Sequence, residues 1–177
     1  MGEIRDKETA EIGVKAALTG HLVLSMLHTN DAPQAVTRLV DMGIDPFMVS
    51  SSVLCVAAQR LVRQLCSHCR RVIEVPEDEL LSVGFLEEEL PDVELFEPNP
   101  DGCPRCKNGY RGRFALLETL YVTERLKRSI VEGASSFDLK RQAIEEGMLT
   151  LRRVGILNAI RGRTSLQEAL RVTMEDK

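Results

Sequence analysis

The chain has 177 residues, enough for one hydrophobic core or for one core and a small module. Hydrophobic residues make up 44% and charged residues 28%, and no apolar run nears the roughly 20 residues needed to cross a bilayer. The 23 basic and 27 acidic side chains give a net charge of −4, which excludes a general electrostatic attraction to nucleic acid.

Charge begins within the first six residues and no leader pattern is present, so a cytoplasmic protein is expected. Thr9 to Leu18 predicts a helix with Ile12, Ala16 and Leu18 on its apolar side. The stretch Leu18 to Ala32, LTGHLVLSMLHTNDA, then organises the chain. Leu22 to Leu27 is an apolar run, broken only by Ser25, and predicts a buried strand, with a turn before it at Thr19-Gly20. Thr29-Asn30-Asp31-Ala32-Pro33 leads into a helix that Asp31 can cap. His21 and His28 stand at the two ends of the apolar run. Polar side chains at the carboxyl ends of buried strands line the ligand crevice of α/β proteins, which places His28, Thr29 and Asn30 for chemistry. The alternative is a strand whose histidines are satisfied near its ends.

Pro33 to Met42 predicts a helix stopped by Gly43, and Asp45-Pro46 restarts the chain. Phe47 to Leu65 has helical apolar spacing, with Cys55 read as a small core hydrophobe. From Cys66 to Gly112 prolines and glutamates cluster, too long a stretch for a plain loop, so a separate module is expected. Arg113 to Val122 predicts a strand returning to the main body. Four helices follow, over Thr123 to Val131, Ser136 to Glu146, Leu149 to Ile160 and Ser165 to Val172.

Four of the five cysteines form two C-x-x-C knuckles, Cys66-Ser67-His68-Cys69 and Cys103-Pro104-Arg105-Cys106. Two intervening residues let both thiolates of a knuckle turn onto one ion, and four thiolates suit a closed structural Zn²⁺ site. Iron in a rubredoxin-like site, disulfides and free thiols are the alternatives. His68 reads as a bystander on its knuckle. Because such metals couple to folding, Cys69→Ser is expected to loosen this module far more than the helical tail. Arg70, Arg71, Arg105, Lys107, Arg111 and Arg113 make the module's ends basic, but its middle is acidic. Only Tyr110 offers a stacking ring nearby, so nucleic-acid binding is not expected.

Glu3, Asp6 and Glu8 around Arg5 would alone read as a solvated acidic face. Taken together, the runs Gly2-Glu3-Ile4-Arg5-Asp6, Leu18-Thr19-Gly20-His21-Leu22-Val23 and Leu27-His28-Thr29-Asn30-Asp31-Ala32 resemble the secretion ATPases. These are the motors of type II secretion and type IV pilus assembly, the GspE/PilB group. Ala58-Gln59-Arg60-Leu61-Val62-Arg63-Gln64-Leu65-Cys66, the four cysteines, Gly109-Tyr110-Arg111-Gly112-Arg113 and Gly162-Arg163-Thr164-Ser165-Leu166 extend the resemblance over nearly the whole chain.

The resemblance implies an α/β fold, the second half of a RecA-like P-loop ATPase core. Residues 1–65 would supply that half-core, 66–112 a tetracysteine zinc subdomain, and 113–177 a returning strand and helical subdomain. It further implies hexamers that turn ATP hydrolysis into pilin or pseudopilin movement. Glu3 would polarise the attacking water and His28 would sit near the γ-phosphate, with Gly2, Arg5, His21 and Thr29 as nucleotide-binding candidates. ATP, Mg²⁺ and Zn²⁺ are the implied cofactors. Further copies of the chain and an inner-membrane platform protein are the implied partners. The cysteine subdomain tilts the expectation toward assembly or secretion rather than retraction. No G-x-x-x-x-G-K-[ST] occurs in the 177 residues, so the chain is expected to be the C-terminal part of a motor, inactive alone. The competing expectation is a stand-alone zinc-binding interaction module without catalysis.

Overall fold

The structure, a computed structural model, describes residues 2–91 and 93–174. Side-chain caps set most helix boundaries, each satisfying an amide that the first turn leaves unpaired. Asp6 accepts the Thr9 amide at 2.8 Å and opens α1 (Lys7–Leu18). Asp31 accepts the Gln34 amide at 2.9 Å and opens α2 (Ala32–Asp41), the predicted cap. Asp45 caps α3 (Pro46–Ser52). Thr123 caps α5 (Glu124–Val131), Ser135 caps α6 (Ser136–Glu145), Thr150 caps α7 (Leu151–Ile160) and Ser165 caps α8 (Leu166–Val172). The short α4 (Glu77–Val83) starts after Pro76 without a side-chain cap.

Among the described residues four strands complete the fold. β1 (Cys55–Leu65) and β4 (Tyr110–Tyr121) form one two-stranded sheet, and β2 (Arg71–Ile73) and β3 (Leu95–Glu97) form another. The second pair is antiparallel, with Val72 opposite Phe96. No helix among the described residues is long and apolar enough to cross a membrane.

Three sequence expectations are corrected. Leu22 to Leu27 forms neither a strand nor a helix, and Leu22, Leu24 and Met26 are 81%, 74% and 64% exposed. A run apolar on both faces suits a strand covered on both faces. Here the Ile4 amide bonds the Met26 carbonyl at 2.9 Å, joining the run to the N-terminal segment. The helix predicted over Phe47 to Leu65 stops at Ser52, and β1 takes the rest. Ala58, Val62 and Leu65 are its buried positions, and the first two are four apart, a spacing that fits a helix face and a strand face equally. The alternation of β1 turns Cys55 outward, so it is exposed rather than part of the core.

The chain folds as two compact units, Met1–Ala58 with Glu118–Leu149, and Gln59–Leu117 with Thr150–Lys177. In the first, α3 packs against α5 and α1, and α2 against α6. Val36, Leu39, Val49, Leu126, Ile130 and Leu139 are buried there. In the second, α4 and β3 deliver Leu80, Phe85 and Leu95 to a cluster shared with Ile156, Ala159 and Leu166 of α7 and α8. A Cβ on Gly155 would lie 3.1 Å from Ala169 Cβ, so a glycine lets α7 and α8 close. The last two helices therefore belong to the folded unit that carries the cysteines, a grouping the linear sequence hides.

A buried carboxylate locks α8 to β1. Glu168, 1% exposed, accepts bonds from the Arg63 amide (3.1 Å), the Arg63 guanidinium (2.7 Å) and Arg171 (3.0 Å). Burial pushes its pKa up, but the bonds from both arginines outweigh burial and hold it at about 2. The folded value lies below a free glutamate's 4.5, so the stabilisation is complete above that pH and is lost as pH falls toward 2. Glu168→Gln is expected to cost about 1–3 kcal/mol at neutral pH and to flatten this acid dependence. Urea midpoints measured across pH would check both.

Candidate functional site

Glu3 lies in the short segment before α1, just ahead of the Asp6 cap, and His28 lies at the end of the apolar run before α2. The Ile4–Met26 backbone bond holds these segments together. As a result His28 Nε2 stands 2.6 Å from Glu3 Oε1, while the Arg5 guanidinium donates to Glu3 Oε2 at 2.7 Å. The Glu3 side chain is 18% exposed and the His28 side chain 87%. Glu3 Oε1 is shut from solvent and has no aligned hydrogen-bond partner, so its contact with His28 is one of proximity. The hydrogen bond from Arg5 holds Glu3 below the usual glutamate range. Desolvation opposes this, and the charges of Arg5 and His28 add to it. Glu3 is therefore a carboxylate at neutral pH, with one oxygen held by Arg5 and the other turned toward an exposed imidazole.

The other candidates fall around this pair in different ways. Gly2 is exposed, with open space about its Cα. Thr29 donates its hydroxyl to the Asp31 carbonyl at 3.0 Å and so fixes the bend into α2. His21 is exposed and pairs through Nδ1 with Thr19 Oγ1 at 3.2 Å, apart from the Glu3 contact network. Glu118 was not legible as part of this neighbourhood. It sits on the inward phase of β4 and accepts the Ala32 amide at 2.7 Å. The signal was an acid between buried Leu116 and Leu120 in an otherwise alternating strand.

The second site is the cysteine cluster. Cys66, Cys69, Cys103 and Cys106 bring their sulfurs within 4.8 Å of one another, a group that could hold a metal ion. Cys66 and Cys103 are 3.7 Å apart and Cys69 and Cys106 3.6 Å. The knuckles are pinned by the Cys66 amide on the Gly109 carbonyl at 2.8 Å. Gly109 has φ +76°, and a Cβ there would meet Asn99 and Pro98 at 2.6 Å, so the turn needs glycine. Desolvation and contacts with the other thiols push Cys69 up to about 12. Cys106 is brought down to about 7, where the Cys103 amide and neighbouring thiols outweigh desolvation. His68 Nε2 lies 3.0 Å from the Arg105 guanidinium.

Residues 1–171 match the family described as Type II/IV secretion system protein. The chain is 48% identical over 175 residues to the type IV pilus assembly ATPase PilB of Pseudomonas aeruginosa, covering 99% of this chain and 31% of that protein. It is 47% identical over 177 residues to type II secretion system protein E of Aeromonas hydrophila, covering 99% and 34%. The chain thus spans about a third of the length of these curated relatives. The structure of the ATPase DotB from Yersinia pseudotuberculosis superposes with a TM-score of 0.64 at 18% identity, over 98% of this chain and 36% of that one. That likeness carries the fold, one shared with part of the ATPase DotB, and the sequence matches carry the kinship: the chain belongs to the type II/IV secretion system protein family, beside its GspE/PilB members.

Proposed function

We propose that this chain supplies the water-activating and phosphate-sensing side of an ATP-driven motor for pilus assembly or type II secretion. The observation that carries the reading is the Glu3–His28 contact at 2.6 Å, with Arg5 steadying the carboxylate from its other side. Hydrolysis of a phosphoanhydride needs an acceptor that orients water and a polar group beside the departing phosphoryl group. Glu3, ionised at neutral pH, orients the water. His28, exposed beside it, donates to the terminal phosphate of ATP bound with Mg²⁺. Gly2, Arg5 and Thr29 flank that position, and His21 contacts the nucleotide farther out.

In this reading residues 1–65 serve as the second half of the ATPase core, 66–112 as the metal subdomain and 113–177 as returning strand and helical subdomain. The complete protein works as a hexamer in the cytoplasm, against an inner-membrane platform protein, and binds no nucleic acid. The four cysteines hold structural Zn²⁺. A tetrahedron at the roughly 2.3 Å Zn–S distance has edges of about 3.8 Å, and two sulfur pairs, at 3.7 and 3.6 Å, support it. All four positions being thiolate, the ion supplies folding energy rather than a catalytic opening. One zinc per chain is expected by metal analysis of gently purified protein; none would refute the assignment.

The test of the motor is steady-state ATP hydrolysis by the complete protein. Turnover is expected there. The 177-residue chain alone is expected to show neither turnover nor thermal stabilisation by millimolar ATP. A complete protein that neither hydrolyses nor binds ATP would leave a zinc-bearing interaction module.

A further inference from the structure

We infer that Glu118 is a positioning residue for His28, acting through the N-terminus of α2. Glu118 is 1% exposed on the inward face of β4, a place where alternation calls for an apolar side chain. A carboxylate is held in such a place only where donors meet it. Its Oε1 accepts the backbone N–H of Ala32, the first residue of α2, at 2.7 Å. The first-turn amides of a helix have no internal partners, and the positive end of the helix dipole favours an anion there. Two carboxylates share that duty here, because Asp31 takes the Gln34 amide at 2.9 Å while Glu118 takes Ala32.

The consequence runs straight to the site. Only Thr29, Asn30 and Asp31 separate Ala32 from His28. Thr29 already spends its hydroxyl on the Asp31 carbonyl, so the bend is fixed from within and anchored from β4 by Glu118. Removing the anchor leaves the Ala32 amide unsatisfied and lets the short link carrying His28 shift against Glu3. A displacement of about 1 Å at a reacting group can reduce turnover about 100-fold.

This inference rests on the Glu3–His28 reading, and the experiment separates the two. In the complete protein, Glu118→Gln keeps a carbonyl acceptor at the same reach and is expected to keep kcat within about threefold. Glu118→Asp keeps the charge but withdraws the acceptor, and Glu118→Leu removes it. Both are expected to lower kcat by about 10- to 100-fold with KM for ATP within about threefold. Leu139→Ala, a buried core truncation in the same unit, is the control: it lowers the melting temperature and leaves the kcat of folded protein unchanged. In the 177-residue chain, the His28 ring resonances are expected to move in Glu118→Asp and stay in place in Glu118→Gln. Wild-type kcat and unmoved His28 signals in Glu118→Asp would overturn the inference, as would a dead Glu118→Gln. Undiminished turnover in a parallel Glu3→Gln variant would instead overturn the reading of the site itself.

Discussion

Stripping the metal from the four-cysteine site is expected to unfold α7 and α8 together with the knuckles. The sequence suggests a detachable module, with Cys69→Ser disturbing the tail little. Bonds and packing nevertheless tie the knuckles to the last two helices. The Leu65 amide bonds the Arg163 carbonyl at 2.9 Å, and Thr164 bonds the Arg63 carbonyl at 2.9 Å. Tyr110, next to the pinned Gly109, meets Ser165 at 3.0 Å, and Arg153 of α7 grips Glu89 at 2.6 and 2.8 Å. Leu80, Phe85 and Leu95 share their core with Ile156, Ala159 and Leu166. Structural zinc in small fingers is worth about 10–16 kcal/mol at neutral pH, comparable to a whole domain's stability. A loss of that size cannot stop at the ligands when the apolar cluster lies on the same unit. Hydrogen exchange before and after chelation would show it. Peptides from 66–112 and from 151–172 should lose protection together, with α5 and α6 of the other unit as reference. Retained protection over 151–172 would restore the detachable module.

Glu3→Gln is expected to lower kcat of the complete protein by about 100- to 10,000-fold while ATP remains bound. The amide matches the carboxylate in shape but cannot serve as a charged acceptor for the attacking water. Arg5 loses the anion that holds it at 2.7 Å. Because Arg5 keeps the Glu3 pKa low, wild-type turnover should persist as pH falls past the ordinary glutamate range and fail only below it. Single-turnover assays with retained-nucleotide counting would test this. Release of ATP by the variant would assign Glu3 to binding instead.

Helices were legible because their signals are local. Asp31, Thr123 and Ser165 each announce a first turn by a side chain that caps its own amides. The cysteine knuckles were legible for a similar reason, since C-x-x-C spacing turns both thiols of a knuckle to one side, although the meeting of the two knuckles joins residues 37 positions apart. What failed depended on distant partners. Leu22 to Leu27 looks like a buried strand, but coverage of its faces is a property of the neighbourhood and not of the run. In β1, Ala58 and Val62 satisfy both periods, so spacing alone could not choose strand over helix. The Glu3–His28 pairing came from resemblance, and the contact that realises it joins residues 25 positions apart. Glu118 lies 86 positions from Ala32, so the acid on the inward phase of β4 marks itself locally but not its partner.

The most direct measurement is a double-mutant cycle on kcat with Glu3→Gln, His28→Ala and the pair together in the complete protein. Two groups that act on one water and one phosphoryl group should be strongly non-additive, the pair falling little further than Glu3→Gln alone. If the two losses simply multiply, Glu3 and His28 act independently and their contact at 2.6 Å is not a catalytic unit.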